Sequence, residues 1–416
     1  MTCRFVKKFG RRLIWLIIIA GLSLSYALLA HSKHQYADAL WQAEYDGLYV
    51  DEPFHIAQIT KFLNKDFSVA KIVVTMIPTY HFMIHGILYF KNAVTAQDMR
   101  FVSFLISILC VPVFFLLARH FWDENTALHR TLQFTFLPIV FFLFPLIYTD
   151  LWALLFVLLM LLAALKERVF IAALCGTMAV AIRQPNIIWV GFVWLLLLDD
   201  YTFAAITKWL CKTWSFIVLF CAFGVFVVMN GGVAIAAGDL HEIGIYLGNV
   251  WFFLLFFFLI SLPYVGKWIK EAISLAQKDL LLALIGMGGI WIFILGTYSV
   301  EHPCNRSHFF LGNILFNTTA QNMFTKTLVA VPMAIGLFGF LRTRFAQTRF
   351  VWLIPATFVS LLAMPLVTSR YYIVPLSLYL ALRNPEDKRS EIIQTCLFIV
   401  VSLGIVVVIS RKMFFV

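Results

Sequence analysis

Charge is what this chain has least of. Only 13% of its 416 residues are Asp, Glu, Lys or Arg while 62% are hydrophobic, against about 25% charged in a soluble domain. A single water-soluble core is excluded, because apolar runs of about 20 residues recur from end to end. Low-complexity tracts are absent, which excludes collagen and extended disorder. No P-loop or GxGxxG stretch occurs, so a nucleotide sugar has no obvious seat and no soluble Rossmann unit is expected. The seven cysteines contain no CxxC pair. Cys3, Cys110, Cys175, Cys211, Cys221 and Cys396 fall in or beside apolar runs or at the amino terminus, and only Cys304 falls in a loop outside them. Neither a zinc site nor a disulfide framework is indicated.

What is present is an all-α polytopic helical bundle. The length accommodates roughly 12 to 13 spans of about 20 residues and leaves no room for a soluble domain. We expect one transmembrane domain over 1–416, with a first span at 13–30, an outer loop at 32–98 and the remaining bundle at 99–416. Arg4, Lys7, Lys8, Arg11 and Arg12 precede the first apolar run, and no A-x-A-like cleavage site follows it. That pattern reads as an uncleaved helix with a cytoplasmic amino terminus. The apolar piece 78–90, with His81 and His85, is too short to cross and is expected along the outer interface. Later spans are expected at 101–118, 131–148, 151–165, 169–182, 187–198, 214–233, 246–265, 280–298, 327–341, 351–367, 371–382 and 392–409. The 32 basic against 21 acidic residues give +11. In a membrane protein this surplus marks cytoplasmic loops rather than a nucleic-acid partner, although Arg411 and Lys412 run against the rule. Asn305-Arg-Ser307 and Asn317-Thr-Thr319 match the glycosylation acceptor pattern.

The map leaves a set of polar residues at span ends on the outer face: Asp46, Asp51, Glu52, Asp150, Arg183, Asp239, Glu242, Glu301 and Arg370, with His55, His241 and His302. Such groups abutting hydrocarbon are costly unless paired or facing an aqueous cavity, so their gathering on one face marks a site. Residues 49–55 read YVDEPFH, with Pro53 at a favoured first-turn position and a helical pattern through Ile56, Ile59 and Phe62. Asp51 is then either an N-cap or a carboxylate placed to take a proton. IRQPNIIW and SRYYIVP each place an arginine, Arg183 and Arg370, at the outer end of a span. Each arginine is either a bidentate phosphate fork or a snorkelling anchor.

In their order along the chain, YVDEPFHIAQ, the segment ending Tyr148-Thr149-Asp150, IRQPNIIWVGF, Gly238-Asp239 with His241, Glu301-His302-Pro303 and SRYYIVP resemble a known family. It is the dolichyl-phosphate-glucose-dependent α-1,2-glucosyltransferases of N-glycan precursor assembly, within the C-type glycosyltransferase superfamily. The resemblance implies inverting transfer of a hexose, glucose in α-1,2 linkage, from a polyprenyl (dolichyl) phosphate sugar to a lipid-linked oligosaccharide. A β-linked donor and an α-linked product mean a single displacement with one base. Asp51 is the implied catalytic base, with Glu52 second. Arg370 and Arg183 are implied at the leaving phosphate, and Asp150, Asp239 and His302 at sugar hydroxyls or behind those arginines. His55, Gln184, His241, Glu301 and Tyr371 complete the implied substrate contacts.

No cofactor is expected, since the lipid-phosphate sugar is a substrate. Carboxylate oxygens suit a divalent metal, but no compact acidic cluster such as DxD is there to hold one. The implied partners are the two lipid-linked substrates and membrane lipid, without nucleic acid and with the protein a monomer. The implied location is the endoplasmic reticulum membrane, or the plasma membrane of a bacterium, with the active site on the non-cytoplasmic face. Two departures bear on the sugar and acceptor more than on the reaction class. Thr75-Met-Ile-Pro78-Thr79 stands where the family has a Thr-Thr-Pro-Pro-Gly type stretch, and the polar run after His-Pro is reduced to 304–308. A C-type transferase of mannose or of a bacterial envelope sugar has the same signature. The rival from another class is a lipid or sugar transporter, against which the missing inverted repeat and the carboxylate-bearing outer loop both speak.

Overall fold

Helices carry most of the described residues in the computed structural model, which describes residues 2–30, 48–49, 51–69, 74–235, 244–300, 302–306 and 310–411. Among the described residues there is no strand, only an isolated bridge between Phe345 and Arg383. Gly10–Ala30, Ala96–Phe121, Leu280–Thr297, Met323–Leu341 and Lys388–Ser410 are long and apolar enough to cross a membrane. Two bent pairs raise these five spans to seven if each pair is one span: Phe203–Lys212 with Trp214–Asn230, and Leu247–Ile260 with Leu262–Ala276. Shorter apolar helices lie at Thr149–Leu165, Val169–Ile182, Gln184–Leu196 and Thr348–Leu362. The protein is an all-α, polytopic membrane protein. Its chain gathers into two compact units, one of Met1–Leu240 with Ser402–Met413 and one of His241–Val401 with Phe414–Val416.

In the first unit, the expected span at 131–148 is not a continuous helix. Helix Glu124–Thr135 ends, a single turn forms at Pro138–Phe141, and the chain runs irregularly to Tyr148. Pro138 and Pro145 explain the break, since proline removes a helical donor and pushes the preceding residue to extended backbone. Leu137 is accordingly extended, at φ −62 and ψ 123. Irregular backbone at membrane depth survives only where protein covers it, and every residue from Thr131 to Asp150 is buried.

Helix Thr79–Leu88 inverts the usual amphipathic pattern. Tyr80, His81, Ile84 and His85 face inward, whereas Phe82, Ile87, Tyr89 and Phe90 are exposed. At ten residues it is about 15 Å long, too short to cross a core of about 30 Å. Tyr80 and Ile84 pack with Ile59, Met99, Ile147 and Trp152 in one cluster, which joins this helix to Glu52–Leu63 and to the irregular segment.

In the second unit, Leu247–Ile260 and Leu262–Ala276 meet at 106°, with Pro263 in the first turn of the latter. Helix Met323–Leu341 packs against both through two glycines. A Cβ on Gly336 would stand 2.4 Å from the Leu254 carbonyl oxygen, and one on Gly339 would stand 2.4 Å from the Trp268 ring. Both acceptor-pattern asparagines are buried, which removes the glycosylation reading. Asn305 donates to the Pro365 carbonyl and accepts from Val367 N–H, and Asn317 donates to the carbonyls of Asn305 and Asn313. Asn305→Ala leaves two buried backbone groups unmade and is expected to cost about 2 to 4 kcal/mol. A fall in the thermal midpoint of the purified protein checks it, and an unchanged midpoint would refute it.

Candidate functional site

The site grows from the start of helix Glu52–Leu63, where Asp51 and Glu52 do different things. Glu52 is fully buried and binds Arg100 in a bidentate pair, Nε to Oε1 at 2.9 Å and Nη2 to Oε2 at 2.5 Å. The same carboxylate accepts from Tyr49 N–H and Ile147 N–H at 2.9 and 3.0 Å. Arg100 also donates to the Ala30 carbonyl, at the end of the first long helix, and stacks over the Tyr49 ring. One ion pair thus ties the first helix, the helix beginning at Ala96, the irregular segment and the Asp-Glu turn.

Asp51 is half-buried and makes no side-chain capping hydrogen bond. The helix therefore begins without the cap that the spacing allowed. Its backbone N–H donates to the Tyr148 hydroxyl at 3.2 Å, and that hydroxyl donates to the Tyr49 carbonyl at 3.3 Å. Residues 49–52 and 147–148 are stitched together by these contacts and by Glu52. Two residues beyond Tyr148, Asp150 opens helix Thr149–Leu165 and pairs with Arg183 Nη1 at 2.5 Å. Arg183 also reaches Thr149 Oγ1 at 3.4 Å, and Gln184 donates to the Thr75 carbonyl. Asp51, Glu52, Asp150, Arg183 and Gln184 accordingly share one unit, joined through Tyr148.

His55 lies one turn after Asp51, and its Nδ1 is 2.9 Å from Nε2 of His81. Tyr80 and Tyr148 set their ring edges against His55. Burial, with the charge of His55 beside it, holds the His81 imidazole well below the ordinary 6.5. In the neutral pair one ring donates and the other accepts, which a doubly protonated pair could not do. The unfolded chain binds the proton more readily, so this contribution to stability is complete above about pH 6.5 and is lost as pH falls below it. We expect the thermal midpoint to drop toward pH 5 by up to about 1.4 kcal/mol of stability per pH unit, and His81→Phe to flatten the curve. An equal acid sensitivity in that variant would show that other groups cause it.

In the second unit, Arg370 and Tyr371 sit half-buried in the turn Ser369–Tyr372. The turn is anchored by the buried Tyr372, whose hydroxyl donates to Asn249 Oδ1 at 2.9 Å. His302 is half-buried and accepts from Cys304 N–H. Asp239, His241 and Glu301 lie outside the described residues. Among the described residues, no three His, Cys, Asp or Glu side chains come together as metal ligands would.

Arg100 and His81 are members that motif reading missed, and Tyr148, quoted within a motif, was given no role. A cation at the start of a span needs a buried partner, which was a signal for Arg100. The roles of Tyr148 and His81 were not readable, because they depend on which segments meet.

The model of the DIE2/ALG10 family matches residues 45–208 and 197–381. An Arabidopsis thaliana protein named Dol-P-Glc:Glc(2)Man(9)GlcNAc(2)-PP-Dol alpha-1,2-glucosyltransferase is 22% identical over 437 residues, covering 80% of this chain and 85% of that one. A Homo sapiens protein of the same name is 23% identical over 395 residues, covering 80% and 83%. One from Debaryomyces hansenii, again of that name, is 21% identical over 391 residues, covering 82% and 84%. No solved structure matches the chain. The family model covers most of the sequence and takes in the Asp-Glu turn, the Asp150–Arg183 pair and the Arg370 turn alike, so the chain belongs to the DIE2/ALG10 family and is a membrane glycosyltransferase.

Proposed function

We propose that this protein transfers glucose from a polyprenyl (dolichyl) phosphate onto a lipid-linked oligosaccharide that ends in two glucoses, forming an α-1,2 linkage with inversion. The observation that carries the reading is the division of labour at residues 51 and 52. Glu52 fixes the turn through Arg100, while the adjacent Asp51 is half-buried, holds no cap, and is tied by its backbone N–H to the hydroxyl of Tyr148, two residues before the Asp150 that pairs with Arg183. Relatives over most of the chain are named for the same reaction.

Asp51 takes the proton of the acceptor hydroxyl, whose oxygen attacks the anomeric carbon of glucose. The bond from that carbon to the phosphate oxygen breaks, and its electron pair leaves with the phosphate. Arg183, aimed by Asp150, meets the developing charge with its planar fork, and Arg370 is a second phosphate contact. His55, Gln184, Asp239, His241, Glu301, His302 and Tyr371 contact the two substrates. No cofactor enters this scheme and the protein acts as a monomer in the endoplasmic reticulum membrane, its site on the lumenal face. Arg183→Lys and Arg370→Lys keep the charge and lose the fork. Each is expected to lower turnover by roughly 10-fold or more at normal expression, and wild-type rates in a variant would make that arginine a helix anchor.

The reading is tested in cells that lack the terminal glucosylation step. Expression of this chain should convert their accumulated diglucosylated lipid-linked oligosaccharide to the triglucosylated form. Accumulation unchanged by a well-expressed protein would overturn the reading. Cysteine labelling at residue 51 tests the face, since labelling from the cytoplasm alone would contradict it.

A further inference from the structure

Helices Val169–Ile182 and Trp214–Asn230 enclose an apolar trough of about 370 Å³. It exists because Ala173, Thr177 and Ala181 repeat at intervals of four along one helix face, facing Val218, Ala222 and Phe226 at the same interval on the other. Residues four apart share a helix face, so the small side chains line up as a continuous recess. Phe170 and Trp214, both largely exposed, flank the end away from Ala181. From Phe170 to Ala181 the trough follows about 16 Å of helix. An apolar cavity of about 150 Å³ already takes up a benzene ring, and a recess this size within hydrocarbon is filled by a chain.

Two features at the Ala181 end point to which chain. Arg183 stands two residues beyond Ala181, held by Asp150, with its side chain 18% exposed. Ile77, which also lines the trough, lies two residues from Thr75, the carbonyl that Gln184 grips. The helix that lines the trough therefore ends at the arginine paired with the Asp150 carboxylate, two residues past the last residue it contributes to the lining. A phosphate at Arg183 would feed its own hydrocarbon tail directly into the trough.

We propose that this trough seats the phosphate-proximal isoprenoid units of the polyprenyl phosphate donor, and that it makes the enzyme selective for a long-chain donor. The inference rests on the donor reading given above. It assigns the trough to the donor rather than to the acceptor's lipid or to bulk phospholipid.

Two measurements test it. The first compares donors in wild type and in Thr177→Phe and Ala222→Phe, which fill the trough from opposite walls. Transfer from a long-chain donor should fall about tenfold through a raised KM for the donor, the equivalent of losing burial of roughly two methylene groups. Transfer from a donor whose phosphate bears a methyl group in place of the polyprenyl chain should stay within about twofold of wild type, as should the KM for the acceptor. Equal losses with both donors, no loss with either, or a rise confined to the acceptor KM would each overturn the proposal. The second measurement needs neither turnover nor a folded variant. Wild-type protein is photolabelled with a diazirine-bearing polyprenyl phosphate and the adducts are mapped. Adducts on the peptides lining the trough, displaced by polyprenyl phosphate but not by phosphatidylcholine, are expected. Adducts elsewhere, displacement by phosphatidylcholine, or stronger displacement by polyprenyl pyrophosphate would overturn it. A wild-type protein that transfers from neither donor yet is labelled in the trough would refute the transferase reading and leave the lipid site standing.

Discussion

Arg100→Leu is expected to remove most of the folded protein. The change strands a fully buried carboxylate whose remaining partners are two backbone N–H groups. Removing one member of a buried pair costs about 3 to 5 kcal/mol. In a unit of this size that corresponds to a midpoint lower by roughly 10 °C. Because the guanidinium also holds the Ala30 carbonyl, the first helix loses that contact in the same step. Arg100→Leu combined with Glu52→Gln should be milder than the sum of the single changes, since the amide still accepts a backbone N–H and no charge is left unpaired. Additive damage in the double variant would mean that the two side chains do not depend on each other.

Asp51→Asn is expected to lower turnover by about 100-fold or more. The amide is close to isosteric and keeps an oxygen, so it removes the proton acceptor with little change of shape. No capping hydrogen bond is lost, and a half-buried, non-capping position predicts a stability change within about 0.5 kcal/mol. KM for both substrates should stay near wild type, the signature of an interaction made only in the transition state. Glu52→Gln supplies the contrast: it should fail mainly through stability, because it breaks the Arg100 pair. Should Asp51→Asn retain full turnover while a folded Glu52→Gln is inactive, the base is Glu52. Full turnover in both variants would mean that this turn supplies no base.

Much of this arrangement was legible before any coordinates. Apolar runs place the helices at Val169–Ile182, Leu280–Thr297 and Lys388–Ser410 within a few residues of where hydropathy expects them, because hydrocarbon leaves a helix as the only way to satisfy the backbone. Hydropathy failed at 131–148, where Pro138 and Pro145 break the helix inside a run as apolar as any span. A transfer scale measures burial and cannot tell lipid from protein as the cover. Motif reading brought out Asp51 and Glu52 in the outer loop, and Asp150 and Arg183 at the ends of apolar runs. It could not separate the roles of Asp51 and Glu52, which follow from Arg100 some 48 residues away. The inward face of Thr79–Leu88 was hidden for a related reason. His81 and His85 read as the polar stripe of an interfacial helix, and contacts with another helix, His55 to His81 and Phe62 to His85, turn that stripe inward.

The central claim, glucosyl transfer from a lipid phosphate, is tested most directly with purified protein. The protein is incubated with dolichyl-phosphate glucose and a diglucosylated lipid-linked oligosaccharide, in parallel with dolichyl-phosphate mannose and with a nucleotide-linked glucose as donors, and the released glycan is analysed by mass and linkage. A gain of one hexose in α-1,2 linkage from dolichyl-phosphate glucose alone is the predicted result. Transfer from the nucleotide sugar, preference for mannose, or an unmodified acceptor in the presence of folded protein would contradict it.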